Sequence, residues 1–217
     1  MSEILAFQRA RKPEEQQLRR DAIIAAAAEL FDEGGETAAG LNAIAARAGF
    51  TKSNVYRYFE SREEVLLNLL FSELEGFVTE FEQAVATCSE DDIAALAAVS
   101  ANGFLSRPRF SKLLPLISSV LEQNISAEKI IALKRGMLVL NVRLATALQS
   151  KLPGTTLDDC AWAAFTAATL VAGMWPMAHP SNEAAKVLAL PEFASMKPAL
   201  PRDLPRAIAA LLRSIVP

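Results

Sequence analysis

Residues 41–58 read LNAIAARAGFTKSNVYRY, and the spacing fits two short helices joined by a tight turn. Ile44, Ala45 and Ala48 put an apolar edge on the first helix, and Gly49 follows as a residue able to take φ > 0. Val55 and Tyr58 give the second helix a face to bury, with Phe50 and Phe59 as further anchors. Ala45 stays small because the second helix crosses close by. Thr51 stands where it can cap that helix, so Lys52, Ser53, Asn54, Tyr56 and Arg57 are left facing outward. These are hydrogen-bonding side chains at the end of a helix of the kind that enters a major groove.

Charge points the same way. No Asp or Glu occurs from Thr37 to Phe59, whereas Arg47, Lys52 and Arg57 are positive. The whole chain carries a net charge of -3, which argues against a protein that coats nucleic acid and confines any such site to a local patch. Upstream, Arg9, Arg11, Lys12, Arg19 and Arg20 form a mostly basic arm and helix start that can lie along phosphates.

The surrounding 217 residues are 52% hydrophobic and dominated by alanine and leucine, a composition that favours helices. We find no strand pattern, so an all-α fold is expected. Ser61 with Glu64, Ser89 with Asp92 and Thr156 with Asp159 fit capping boxes and mark three helix starts. Apolar spacing suggests others: Ile23, Ala27, Leu30 and Phe31 before Gly34–Gly35, and Met137, Leu140, Leu144 and Leu148 before Pro153–Gly154. A last helix carries the stripe Ile208, Leu211, Leu212, Ile215, with Pro205 in its first turn. The region 180–201 reads as a Pro-rich turn cluster. Two domains follow: residues 1–60 with the helix pair, and 61–217 as one larger helical bundle.

Cys88 and Cys160 lie far apart, and His179, the only histidine, has no partner at metal-ligand spacing, so neither a metal site nor a cofactor is expected. The N-terminus has no secretory pattern and the cytoplasm is the default. Residues 160–178 carry no charge and nearly reach the length of a membrane span. Their weakly apolar alanines and threonines, with Pro176, favour a helix buried between others. A helical-bundle enzyme would need a nucleophile with its base, paired carboxylates, a Glu-x-x-His pair or a phosphate loop, and none is legible.

The run from Ile44 to Val65, IAARAGFTKSNVYRYFESREEV, resembles the signature of the TetR family of bacterial transcriptional regulators. With the first helix, the resemblance covers about the first third of the chain. It implies an N-terminal three-helix helix-turn-helix domain in which Lys52, Ser53, Asn54 and Arg57 approach base edges or nearby phosphates. Tyr56 and Arg62 match phosphate-holding positions, and Asn42 matches a position that can also touch DNA. Gly40 stands where the family often has a Thr or Ser cap, and Glu36 where an aromatic residue is usual.

The family resemblance further implies a homodimer on a double-stranded operator, built by a pair of C-terminal helices that bundle with their twins. The helix from about Thr156 to Trp175, free of charge from Cys160 onward, and the final Ile-Leu stripe are the candidates here. A small-molecule effector is expected in an apolar pocket. Its candidate lining is Phe77, Phe104, Met137, Trp162, Phe165 and Trp175, with Asn124, Asn141 and Thr169 as orienting groups. Without a buried charge pattern, that effector reads as neutral or weakly polar. The leading function is a repressor released from a palindromic operator; an activator or a ligand-insensitive regulator of the same fold is the alternative.

Overall fold

Ile23, Ala27, Leu30 and Phe31 are all buried, which fixes the inner face of the first helix, α1 (Pro13–Ala38). The computed structural model describes residues 13–217, so Arg9, Arg11 and Lys12 of the basic arm lie outside the described residues. Gly34 and Gly35 interrupt α1, and Gly35 takes φ 66°, a conformation that costs glycine little. Then come α2 (Leu41–Arg47), α3 (Lys52–Val55) and α4 (Arg62–Ala86). After these follow α5 (Ile93–Leu105), α6 (Pro108–Leu113), α7 (Ala127–Gln149), α8 (Leu157–Ala178), α9 (Asn182–Leu188) and α10 (Leu200–Arg213). No strand occurs among the described residues.

The chain divides into two compact units at Leu69–Leu70, nine residues beyond the boundary expected from the sequence. Side-chain ties explain the shift. Arg20 of α1 donates to the Asn68 Oδ1 at 3.3 Å, and Arg62 reaches Glu36 at 2.9 Å. The first turns of α4 therefore belong with α1 to α3. In this unit α2 packs on α1 and α3.

In the second unit α10 packs along α5 and against α8, and α7 packs along α8. Leu204, Ile208 and Leu212 of α10 and Leu96, Ala97 and Ala101 of α5 are all buried. Of the expected stripe, Ile208 and Leu212 thus close the unit's own core, while Leu211 and Ile215 are half-buried. An aromatic cluster of Phe77, Phe81, Phe104 and Phe110 fills the middle, with ring centroids 4.6 to 6.0 Å apart. Ion pairs hold α4 from outside: Arg143 of α7 grips Glu82 with two hydrogen bonds of 2.9 and 2.6 Å, and Arg109 reaches Glu73 at 2.7 Å.

The Ser61 and Thr156 caps form as expected, accepting from the Glu64 and Asp159 amides at 3.2 and 3.1 Å. Ser89 does not cap. Asp91 adopts φ 59° with its amide tied to the Lys151 carbonyl, and Asp92 caps α5 instead. The last helix starts five residues before Pro205, which lies in its interior, and α9 occupies part of the expected turn cluster. The helix α8, whose only charges are Asp158 and Asp159 in its first turn, is long and apolar enough to cross a membrane. Here Cys160, Ala163, Ala167, Val171 and Trp175 form its buried face.

Candidate nucleic-acid interface and ligand cavity

The turn between α2 and α3 is built by backbone bonds that need a glycine. The Phe50 amide donates to the Ala45 carbonyl at 2.8 Å and the Gly49 amide to Ala46 at 3.2 Å, while Gly49 takes φ 73°. This is the paired bonding that ends a helix on a left-handed residue. Thr51 then caps α3, its hydroxyl accepting from the Asn54 amide at 3.2 Å. Regular helix stops at Val55, and further turns, including a Phe59 amide to Val55 carbonyl bond of 3.1 Å, carry the segment to Phe59. Val55 and Phe59 are buried; Lys52, Ser53, Tyr56 and Arg57 are exposed and Asn54 half-buried. Asn42 is exposed on α2. Lys52 Nζ stands 5.9 Å from the centre of the Tyr56 ring. One short segment thus presents two cations, a phenol, a hydroxyl and an amide to solvent.

Three arginines differ from their reading in the sequence. Arg47 is spent on α1: it bonds Glu29 at 3.0 Å and both carboxylate oxygens of Glu33 at 2.9 and 3.0 Å. Those bonds hold the Glu33 carboxyl below the usual carboxylate range. Arg20 is an internal strut, donating to the Tyr58 carbonyl at 2.7 Å with its guanidinium 4.4 Å over the Phe59 ring. Arg62 is shared by Glu36 and Glu63, each at 2.9 Å, and must leave Glu36 to reach a phosphate. The cationic face is therefore narrower than the residue count suggests, and it centres on Lys52 and Arg57.

The second unit carries a half-open cavity of about 350 Å³. Leu70 and Leu74 of α4, Phe110 and Leu114, Met137, Asn141 and Leu144 of α7, and Ala164, Phe165 and Ala168 of α8 line it. That size lies within the range of small-molecule sites. Its polar groups are few. Asn141 donates to the Ala161 carbonyl at 3.2 Å, and Lys134 at the rim is neutralised by Glu122 at 2.6 Å. Gly136 lets the neighbouring wall close up, since a Cβ there would stand 2.6 Å from the Phe71 ring.

Of the residues expected around an effector, Met137, Asn141 and Phe165 meet in this cavity. Phe77 and Phe104 line a smaller void of about 50 Å³ beside it. Asn124, Trp162, Thr169 and Trp175 line neither. Asn124 sits exposed in a turn at φ 57°, Trp162 is 52% exposed on α8, and Thr169 donates to the Phe165 carbonyl. Trp175 is buried against His179, 4.5 Å between ring centres, and its indole N–H finds no acceptor among the described residues. Leu70 and Leu74 were missed, although their i, i+4 spacing is the signal that marks one helix face.

Comparison with known proteins agrees with this architecture. Residues 23–69 match the family model of bacterial regulatory proteins, tetR family, and residues 72–215 match the Tetracyclin repressor-like, C-terminal domain. The HTH-type transcriptional activator FasR of Mycolicibacterium smegmatis is 36% identical over 83 residues, 38% of this chain and 38% of that protein's length. SmeT, the repressor of the Stenotrophomonas maltophilia multidrug efflux pump SmeDEF, superposes with a TM-score of 0.52 at 25% identity, covering 94% of this chain and 93% of that one. FadR from Bacillus subtilis in complex with stearoyl-CoA superposes at 0.50 and 20% identity over 91% of this chain and 99% of that one. With both units matched, this chain belongs to the TetR family and is a DNA-binding transcriptional regulator.

Proposed function

We propose that the chain is a cytoplasmic, homodimeric repressor that leaves a palindromic operator when a small apolar effector fills the 350 Å³ cavity. The observation that carries this reading is the lining: α4 contributes Leu70 and Leu74 to the cavity, and the same helix begins at Arg62, directly after the DNA-reading segment. An effector that displaces α4 acts on a helix whose first turns belong to the DNA-binding unit. Operator affinity shifts only as far as the effector prefers the non-binding state. Lys52, Ser53, Asn54 and Arg57 are the proposed base and phosphate contacts, with Tyr56, Asn42 and Arg62 on the backbone.

Neutral ligands suit the cavity because its one cation, Lys134, already has Glu122 as counter-ion. A gel-shift with the DNA upstream of the chain's own gene, at two salt concentrations and with a panel of apolar compounds, tests the reading. Retarded DNA released by at least one compound is expected; binding that no compound alters would leave a ligand-insensitive regulator. Lys52→Ala with Tyr56→Ala should weaken retardation while the dimer persists. The likeness to FasR favours a second reading, activation. Deleting the gene raises transcription of the target under the first reading and lowers it under the second.

A further inference from the structure

The large cavity and the small void share a wall. Leu74, Phe110, Leu144, Ala164 and Ala168 line both, and the side chains found only around the void, among them Phe77, Phe104, Ala167 and Ile208, are buried. The void thus lies directly across that wall from the larger space. Ser100 is the polar side chain on its lining, and the Ser100 hydroxyl is already donated to the Leu96 carbonyl at 2.7 Å. A space of about 50 Å³ with no polar group to offer suits hydrocarbon and not water. Asn141, Lys134 and exposed Phe165 lie on the large cavity alone, so polarity and solvent access are at one end.

From this gradient we propose that the effector is an unbranched aliphatic chain with an uncharged polar head, a proposal that rests on the effector reading of the large cavity. The head stays near Asn141 and Lys134, the chain crosses the wall past Phe110, and its methyl end seats in the void. Phe110 and Ala167 set the accepted length: Phe110 as the gate, Ala167 as part of the floor. At roughly the 30 Å³ of a water per methylene, the large cavity holds about a dozen carbons and the void about one or two more.

Isothermal titration of the full-length dimer with straight-chain 1-alkanols, hexanol to hexadecanol, tests this. Affinity should climb about fourfold per methylene, the factor that one buried methylene supplies, and stop climbing where both spaces are full. Ala167→Val adds bulk to the void without touching the large cavity, so the optimum should move to a chain shorter by about one or two carbons. Phe110→Leu opens the gate and should move it the other way. Operator retardation without alkanol reports whether each variant is folded, and should one fail, the other still decides. An A167V profile superimposed on that of the wild type, or a wild-type profile flat with length, would overturn the length ruler and leave the effector reading standing. Failure of the wild type to bind any alkanol, together with no release by any other apolar compound, would overturn both.

Discussion

Arg62 sits between two carboxylates at equal distance, Glu36 and Glu63 at 2.9 Å. Glu36 stands where the family usually carries an aromatic residue, which has no carboxylate to pair with an arginine, so the tether is a property of this sequence. Each phosphate contact adds about 0.9 to the slope of log affinity against log salt. Glu36→Gln should therefore tighten operator binding at low salt and steepen that slope by about one; an unchanged slope in a fluorescence anisotropy salt series would show that Arg62 reaches no phosphate. Arg20 should behave in the opposite way. With hydrogen bonds to the Tyr58 carbonyl and Asn68 and a contact with the Phe59 ring, it holds the DNA-reading segment to α1 and α4. Charge-assisted bonds of this kind are worth about 2 kcal/mol. Arg20→Ala should lower unfolding free energy by about that much and leave the salt slope of the folded fraction as it was. Neither assignment was legible in the sequence, because a count of cations in a segment does not reveal hydrogen-bond acceptors 14 to 38 residues away. The outward set Lys52, Ser53, Tyr56 and Arg57 was legible, since one cap and one glycine fix which side of so short a helix is buried.

At the scale of elements, the local rules read well where nothing distant competed. Ser61 and Thr156 cap as their spacing implies, but Ser89 loses to Asp92 because the Lys151 carbonyl captures the Asp91 amide and turns the chain. The start of α10 differs from its expected place for a related reason. Pro205 fits a first turn, yet Leu200 and Leu204 are drawn into the core and extend the helix upstream past it. Contacts between elements carry their own predictions. Gly136→Ala would drive a methyl into the Phe71 ring, and overpacking of this kind costs about 1–3 kcal/mol; chemical denaturation should register it as a lower midpoint. The Glu82–Arg143 clamp between α4 and α7 predicts a pH signature. Hydrogen bonding to Arg143 lowers the Glu82 pKa, so the pair's contribution is present above the unfolded carboxylate value, about 4.3. It is lost as pH falls through the folded one. Both side chains are about a third or more exposed, so solvent screening keeps the effect that of a weak surface pair. Glu82→Gln should be slightly less stable than the wild type at neutral pH, and the two should converge as the solution is made acid.

For the whole molecule, the proposed homodimer needs an open apolar surface, of which α10 supplies little. Its Ile208 and Leu212 are buried at home, so the open apolar surface lies on α8 and α7: Trp162, Phe165, Leu138 and Val139 are each more than half exposed. On α8 the exposed residues Trp162, Phe165, Thr169, Gly173 and Pro176 recur at helical spacing, forming a stripe with no charge between Cys160 and Ala178. An uncharged stripe of that length is the surface on which a second copy can be seated without stranding a charge. Trp162→Asp places a carboxylate on it at a position that lines neither cavity. Sedimentation should then find monomers at concentrations where the wild type pairs, with the thermal midpoint of the monomer's own core little changed. On the proposed homodimer two DNA-reading units would meet successive major grooves, about 34 Å apart, so that the second contact is intramolecular and is worth roughly 10²-fold or more in affinity. Operator binding should fall by that factor while binding to a single half-site persists. A W162D variant that stays dimeric would move the pairing surface off this stripe.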